Sequence, residues 1–387
     1  MSIMREVAIL GIGQTKIKEH WDRSLKDLAG EAVLNALKDG GIPGAEAIFV
    51  GNMMSGLANS QQHLGAAIAD WVGLRFSDAM HIEAACSSGA ASFRSALMAV
   101  ASGEIDTAIA VGVEKMTDSP GEEITGYLAT AADADWEMDM GLSFVALNAL
   151  IMRRYMDEFG WKKDDFAPFS INAHANGSHN PYARFQDPIT LADYQRAGMI
   201  CDPINLMDAS GIGDGAAAAV LVPAEMARQR GLPVIKVIGS GAATDSIAIH
   251  NRHEPLWLKA AELSSKKAYS QAGLSPQDIN IFEAHDAFSI MAALSLEGNG
   301  FAEKGQGPRL ALEGEILPTG RIPIATRGGL KARGHPVGAT GMYQIVEVVQ
   351  QLRGEATGTQ VENARIGMAQ NIGGSGSNII THIFDRE

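Results

Sequence analysis

The feature that most constrains this chain is a repeat. The segment ALKDGGIPGAEAIFVGNM (36–53) is matched in pattern by AYSQAGLSPQDINIFEAH (268–285). In each, a helix end passes through a glycine turn, Gly41-Ile42-Pro43 or Gly273-Leu274-Ser275, into a short apolar strand. Further along, CSSGAASFRSALMAVASGE (86–104) is answered by HPVGATGMYQIVEVVQQLRGE (335–355). Both begin with a reactive side chain, pass two positions to Gly-Ala, and run into an amphipathic helix. A candidate buried strand follows each helix, DTAIAVGVEKM in the first copy and ARIGMAQNIGG in the second. With 387 residues the chain is too long for one ordinary core, and a duplicated α/β unit accounts for the length. Two such units packed about a pseudo-twofold axis would set Cys86 and His335 facing each other across the seam.

Outside the repeat, the chain opens with a buried-strand pattern, Val7 to Gly13, followed by an amphipathic helix over Ser24–Leu37. Strand and helix alternate to about residue 118 and again from Val234. The stretch 119–230 is less regular, with helices expected near 141–159 and 164–178. The expected division is an N-terminal half (1–118), a loop domain with return to that half (119–230), and a C-terminal half (231–387). The Gly-x-Gly of AILGIGQTK lacks a third glycine in register and an acidic partner, so it is expected to be a turn and not a nucleotide fingerprint.

A formal net charge of −14 argues against a nucleic-acid groove or an anionic membrane surface. No run of 18 apolar residues and no signal-peptide pattern occurs, so a cytoplasmic protein is expected. The two cysteines, Cys86 and Cys201, form no CxxC. His174 with His179, and His250 with His253, lack a third ligand, so no metal is expected.

A lone cysteine is most often a small buried hydrophobe. Its place at a helix mouth, paired by the repeat with a histidine, changes that reading. Helix dipole and free N–H groups favour a thiolate, and His335 can act as proton acceptor. The backbone N–H of Cys86 can also stabilise an oxyanion. Gly334, Gly338, Ala339 and Gly341 around His335 suggest that something approaches the backbone closely.

In order, EAACSSGAASF (83–93), HDAF (285–288), GGLKARGHPVGATG (328–341) and NIGGSG (371–376) resemble the thiolases, with SGIGDGAAAAVLVP (210–223) a further family-like segment. The resemblance covers essentially the whole chain. NPYARF (180–185) and the His-Asp opening of HDAF are similar to the archaeal-type and sterol-carrier-protein-type branches. It implies a duplicated thiolase fold, an α/β five-layer αβαβα core with a loop domain over the active site. It also implies acyl transfer between coenzyme A thioesters, which are substrates, with no separate cofactor. By resemblance, Cys86 takes the acyl group and His335 activates it. His285 stands where most thiolases fix a water with Asn in one oxyanion hole, and the N–H groups of Cys86 and Gly373 form the other.

One departure matters. Most thiolases carry a second cysteine in a Cys-x-Gly motif that moves the α-carbon proton, and here the motif reads Asn371-Ile372-Gly373. An amide is no base. Sterol-carrier-type relatives place the cysteine within His-Asp-Cys-Phe, where this chain has Ala287. Three explanations stay open: His285 is the base, Cys201 reaches the site, or the chain only loads and transfers acyl groups or cleaves a different bond. Asn371, Gly374, Ser240, Gly241 and Met140 are further candidates for substrate contact. Asp139 reads as a solvated or capping carboxylate, and Met138, Met140, Met152 and Met156 as core or tunnel lining. Arg327, Lys331 and Arg333 read as a solvated basic face.

The leading expectation is an acetyl-CoA C-acetyltransferase that forms a cysteine acyl-enzyme. The resemblance implies a homo-dimer or tetramer. It further implies a complex with a hydroxymethylglutaryl-CoA (HMG-CoA) synthase and an OB-fold, zinc-ribbon protein at the head of the mevalonate route. The alternatives are an acyltransferase subunit using a non-CoA acceptor, a thiolase for longer β-ketoacyl-CoA, and a weakly catalytic assembly scaffold.

Overall fold

In the computed structural model, which describes residues 5–231 and 233–387, the two copies of the repeat take equivalent places in one sheet. The strands are β1 (Val7–Gln14), β2 (Ala47–Gly51), β3 (Asp78–Ile82), β4 (Ala108–Glu114), β5 (Met199–Cys201), β6 (Ile204–Asn205), β7 (Gly215–Pro223), β8 (Ile235–Thr244), β9 (Ile281–Glu283), β10 (Ile366–Gly373) and β11 (Asn378–Arg386). Their order is β3-β2-β4-β7-β1-β8-β11-β10-β9, with β5 and β6 forming a separate hairpin. Read outward from the β1–β8 junction, β1, β7, β4 and β2 are mirrored by β8, β11, β10 and β9. The two half-sheets are stitched edge to edge by Ala8 opposite Lys236 and Ile9 opposite Ile235.

Helices separate the faces into five layers. On one outside, Leu28 and Val33 of helix Leu25–Gly40 and Ile68 of helix Leu64–Trp71 pack on Val50, Val111 and Val220. Between the half-sheets lie helix Ser88–Ser102, through Phe93, Ala96 and Val100, and helix Thr340–Arg353, through Met342, Ile345 and Val349. On the other outside, Ala261 and Ala268 of helix Lys259–Ala272 and Leu294 of helix Ser289–Gly298 cover Met368, Ile379 and Ile383. Strand β7 shows why both faces can be covered. Ala216, Ala218 and Val220 point outward, and Ala217, Ala219 and Leu221 point to the central helices. Such strands read as continuous apolar runs because both faces are buried.

Gly11 and Gly13 are a correction: they lie within β1 and not in a turn. A Cβ on Gly13 would meet the Ala32 carbonyl at 2.2 Å, so the glycines let helix Leu25–Gly40 press on the strand. That helix is capped at Ser24, whose Oγ accepts from the Asp27 N–H, and it ends at Gly41 in the left-handed region. After β4 the chain leaves the sheet through helices Gly121–Ala129, Phe144–Phe159 and Ala167–Gly177 and the β5–β6 hairpin, and it returns at β7. This excursion supplies Thr125, Leu128, Phe144 and Asn148 to a cavity over the central helix mouths.

Candidate active site

Cys86 sits in the single turn Ala85–Ser87 between β3 and helix Ser88–Ser102. Ala85 has φ +51°, a conformation that costs a residue with a Cβ. Two hydroxyls hold the turn: Ser87 Oγ donates to the Ala84 carbonyl and Ser88 Oγ to the Ala85 carbonyl, each at 2.6 Å. The backbone N–H groups of Gly374 and of Cys86 itself face the sulfur. Gly374, and not Gly373, is therefore the second-half glycine presented to the thiol. Gly373 is paired with Asn378 in the β10–β11 ladder, and a Cβ there would meet the Ala84 carbonyl at 2.7 Å.

His335 begins the equivalent turn of the second copy. Its backbone N–H donates to the Gly211 carbonyl at 2.8 Å, which ties it to the loop before β7. Its Nδ1 lies 2.7 Å from Thr340 Oγ1, and that hydroxyl donates to the Pro336 carbonyl at 3.3 Å. With the hydroxyl proton assigned to the Pro336 carbonyl, Nδ1 is the donor to Thr340 and Nε2 keeps its lone pair. His285 follows β9, and its ring meets that of His335 edge to face, with centroids 5.1 Å apart at 85°. Asn371 Nδ2 lies 2.9 Å from His285 Nδ1.

Cys86, His285, His335 and Gly374 all line one cavity of about 210 Å³, whose other walls include Phe144, Phe288, Met291 and Ile372. Burial against its apolar walls governs the charges. Burial pushes the Cys86 thiol up to about 12, with the Glu114 carboxylate adding to the shift. Burial also drives His335 down to about 3, aided by Arg333, and holds His285 well below the usual imidazole range. The helix mouth expected to ionise the thiol is thus outweighed by desolvation, and the resting pair is neutral thiol and neutral imidazole.

Not every expected residue reaches this cavity. Asn371 is buried behind His285 and does not line it. Ser240 and Gly241 lie in β8, where the Ser240 carbonyl and hydroxyl accept from Arg94 and Gly241 packs under the Ser264 carbonyl. Met140 is 68% exposed and also lies off the cavity wall. Cys201 is half-buried in β5, away from the lining. Arg327, Lys331 and Arg333, read as a solvated face, are buried. Arg333 pairs with Glu347, Lys331 donates to the Asp208 carbonyl, and Arg327 donates to the Thr357 carbonyl at 2.9 Å. Their acceptors stand 14, 30 and 123 residues away, beyond the turn spacing that a local pattern could reveal. Among the described residues no group of three His, Cys, Asp or Glu side chains is placed to hold a metal ion, and no helix is long and apolar enough to cross a membrane.

Glu114 and Thr340 were missed from sequence. Glu114 ends β4 and accepts from the N–H groups of Met53, Met54 and Gly338 and from Asn52 Nδ2, at 2.7 to 3.1 Å. Burial nevertheless pushes its carboxyl up to about 7. It clamps the Asn52 turn of the first copy to the His335 turn of the second. An acid ending an otherwise apolar strand, VGVEKM, was the available signal.

Comparison with known proteins agrees with this layout. Residues 7–225 match the family described as thiolase, N-terminal domain, and residues 241–386 match thiolase C-terminal domain-like. The chain belongs to the thiolase family. As a thiolase it is an acyltransferase by class. It is 46% identical to the acetyl-CoA acetyltransferase of Methanothermobacter thermautotrophicus, over 99% of this chain and 100% of that protein. It is 37% identical to the acetyl-CoA acetyltransferase of Methanocaldococcus jannaschii, over 98% and 99% respectively. Among solved structures, the Ltp2-ChsH2(DUF35) aldolase superposes with a TM-score of 0.86 at 25% identity, covering 99% of this chain and 98% of that one.

Proposed function

We propose that this thiolase is an acetyl-CoA C-acetyltransferase that interconverts two acetyl-CoA with acetoacetyl-CoA and CoA through an acetyl thioester on Cys86. The observation that carries the reading is the convergence of Cys86, His335 and His285 on one apolar cavity. Full-length similarity to archaeal acetyl-CoA acetyltransferases supports the choice of acyl group. His335 Nε2 takes the thiol proton as the sulfur attacks, since neither group is charged at rest. The N–H groups of Cys86 and Gly374, which face the sulfur, are the donors this reading assigns to the developing oxyanion on the acyl group.

Intact-protein mass spectrometry after acetyl-CoA, with acetoacetyl-CoA thiolysis followed in parallel, tests the reading. One acetyl group gained, absent in Cys86→Ala, together with CoA-dependent thiolysis, is the expected result. Acetylation without thiolysis would replace it by the second reading, an acyltransferase with a non-CoA acceptor. That reading is favoured by one observation: Cys86 is the sole thiol on the described cavity wall.

The protein acts as a homo-oligomer in this proposal. Strand β3 ends the sheet with Met80 54% exposed and its outer edge unpaired among the described residues, a surface suited to pairing with a second copy. The similar Ltp2-ChsH2(DUF35) aldolase is named with a second protein component. That name supports association with a second protein component, for which the proposal takes an OB-fold, zinc-ribbon partner; the proposal adds an HMG-CoA synthase that would draw off acetoacetyl-CoA toward isoprenoids. Two unpaired cysteines suit a cytoplasmic setting.

A further inference from the structure

The missing second thiol leaves a question of proton bookkeeping that the two histidine tautomers answer. At His335, Nδ1 lies 2.7 Å from Thr340 Oγ1, and with the Thr340 proton assigned to the Pro336 carbonyl Nδ1 is the donor and the lone pair is on Nε2. At His285 the arrangement is reversed. Asn371 Nδ2 is a donor, it lies 2.9 Å from His285 Nδ1, and so Nδ1 must be the acceptor and Nε2 must carry the hydrogen. The opposite orientation of the amide would leave its NH2 group where Asn371 Oδ1 now stands, buried without a partner beside Gly341. An orphaned buried donor is rarer and costlier than an under-satisfied carbonyl. Neither Nε2 atom bonds to another described residue, and both rings line the cavity. The cavity therefore offers one base, His335 Nε2, and one hydrogen-bond donor, His285 Nε2–H.

We propose that Asn371 is a positioning residue that holds His285 as a donor, and that His335 alone carries the proton through both halves of the reaction. The proposal rests on the thiolase reading above. In the cleavage direction, Cys86 S–H gives its proton to His335 Nε2 as the sulfur bonds to C3 of acetoacetyl-CoA. The C2–C3 bond breaks, and its electron pair becomes the enolate of acetyl-CoA, whose oxygen is held by His285 Nε2–H. His335 Nε2–H then protonates C2, leaving acetyl-CoA, acetyl-Cys86 and a neutral imidazole. In the second half the CoA thiol gives its proton to His335 Nε2, its sulfur bonds to the acetyl carbon, and Cys86 leaves and regains that proton. The products are two acetyl-CoA, and every proton passes through one nitrogen. Asn371 thus replaces the usual thiol not as a second base but as the group that prevents His285 from being one.

Two variants of the full chain separate donor from base. His285→Gln places an amide N–H near the position of Nε2 but has no basic nitrogen, whereas His285→Ala removes both. Asn371→Asp puts a carboxylate on Nδ1 and moves the hydrogen there, turning Nε2 into a lone pair. Two readouts are followed: exchange of labelled CoA with acetyl-CoA, which needs only Cys86 and His335, and acetoacetyl-CoA thiolysis, which also needs the enolate to be held. The expected result is that exchange falls far less than thiolysis in His285→Ala and Asn371→Asp. His285→Gln keeps thiolysis kcat within about tenfold, while His285→Ala and Asn371→Asp lose about a hundredfold, the usual effect of removing one oxyanion donor. Thiolysis in His285→Gln as weak as in His285→Ala, with exchange intact, would make His285 the base and overturn the proposal. Unchanged thiolysis in Asn371→Asp would overturn the role of Asn371. Absence of exchange in the wild-type protein would overturn the underlying thiolase reading instead.

Discussion

At the residue scale the active site is a set of neutral groups kept ready by hydrogen bonds. That Cys86 and His335 come together on one cavity was legible, because each stands at the same point of a repeated motif. Their protonation was not legible, because it depends on a cavity wall assembled from both halves and the loop region. Thr340 shows how much rests on one contact. It lies five residues beyond His335 with its Oγ1 2.7 Å from Nδ1, and in the tautomer assigned above it accepts the Nδ1 hydrogen and so aims the lone pair of Nε2. Thr340→Val keeps the shape but removes the acceptor. The expected outcome is a fall in kcat of about tenfold to a hundredfold, with an unchanged melting temperature as the control for folding. Steady-state thiolysis kinetics check it, and wild-type kcat in the variant would show that Thr340 does not set the tautomer.

At the element scale, the two central helices cross at their N-terminal ends, and glycines make the crossing possible. A Cβ on Gly89 would stand 2.9 Å from both the Gly338 carbonyl oxygen and the Met342 backbone nitrogen. A Cβ on Gly341 would stand 2.5 Å from the Ala90 nitrogen. These are backbone obstacles that no rotamer change relieves. Gly89→Ala is therefore expected to lower stability by about 1–3 kcal/mol, as overpacking does, and to separate the Cys86 and His335 turns enough to slow Cys86 acetylation. Chemical denaturation and acetylation rates measure the two effects, and a variant unaffected in either would mean the helices have room to part. The glycines around His335 were visible in the sequence, and close approach was the reading given to them. What they approach was not visible, because the backbone that Gly89 and Gly341 each meet across the crossing is more than 200 residues away.

At the scale of the whole molecule, the duplication buries titratable groups in the middle layer. His382 of β11 lies against Phe93, with ring centroids 4.9 Å apart, and burial drives it down to about 3. In the unfolded chain it titrates near about 6.5. Between these values the unfolded state binds a proton that the folded state does not, so stability rises with pH across that window and is lost as pH falls through it. Glu114 and Glu283, pushed up to about 7 and about 8, act in the opposite sense: stability falls as pH rises from the ordinary carboxyl range through those values. A difference measurement isolates the histidine. Wild type should lose stability faster than His382→Leu by about 1.4 kcal/mol per pH unit between pH 6 and 4. Urea denaturation across that range tests it, and parallel curves for the two proteins would mean His382 is charged in the folded state.

By itself the sequence determined the duplication, the family, the amphipathic helices and the pairing of Cys86 with His335 at equivalent helix mouths. These follow from local patterns, namely glycine turns, apolar periodicity and residues at fixed spacing. The tertiary structure alone decided that Arg333 pairs with Glu347 inside the protein, that Gly374 rather than Gly373 presents its N–H to the thiol, and that Asn371 stands behind His285 instead of on the cavity wall. Each of these depends on which distant segments share a desolvated space, and the cost of leaving a charge or a donor unpaired there selects the partner.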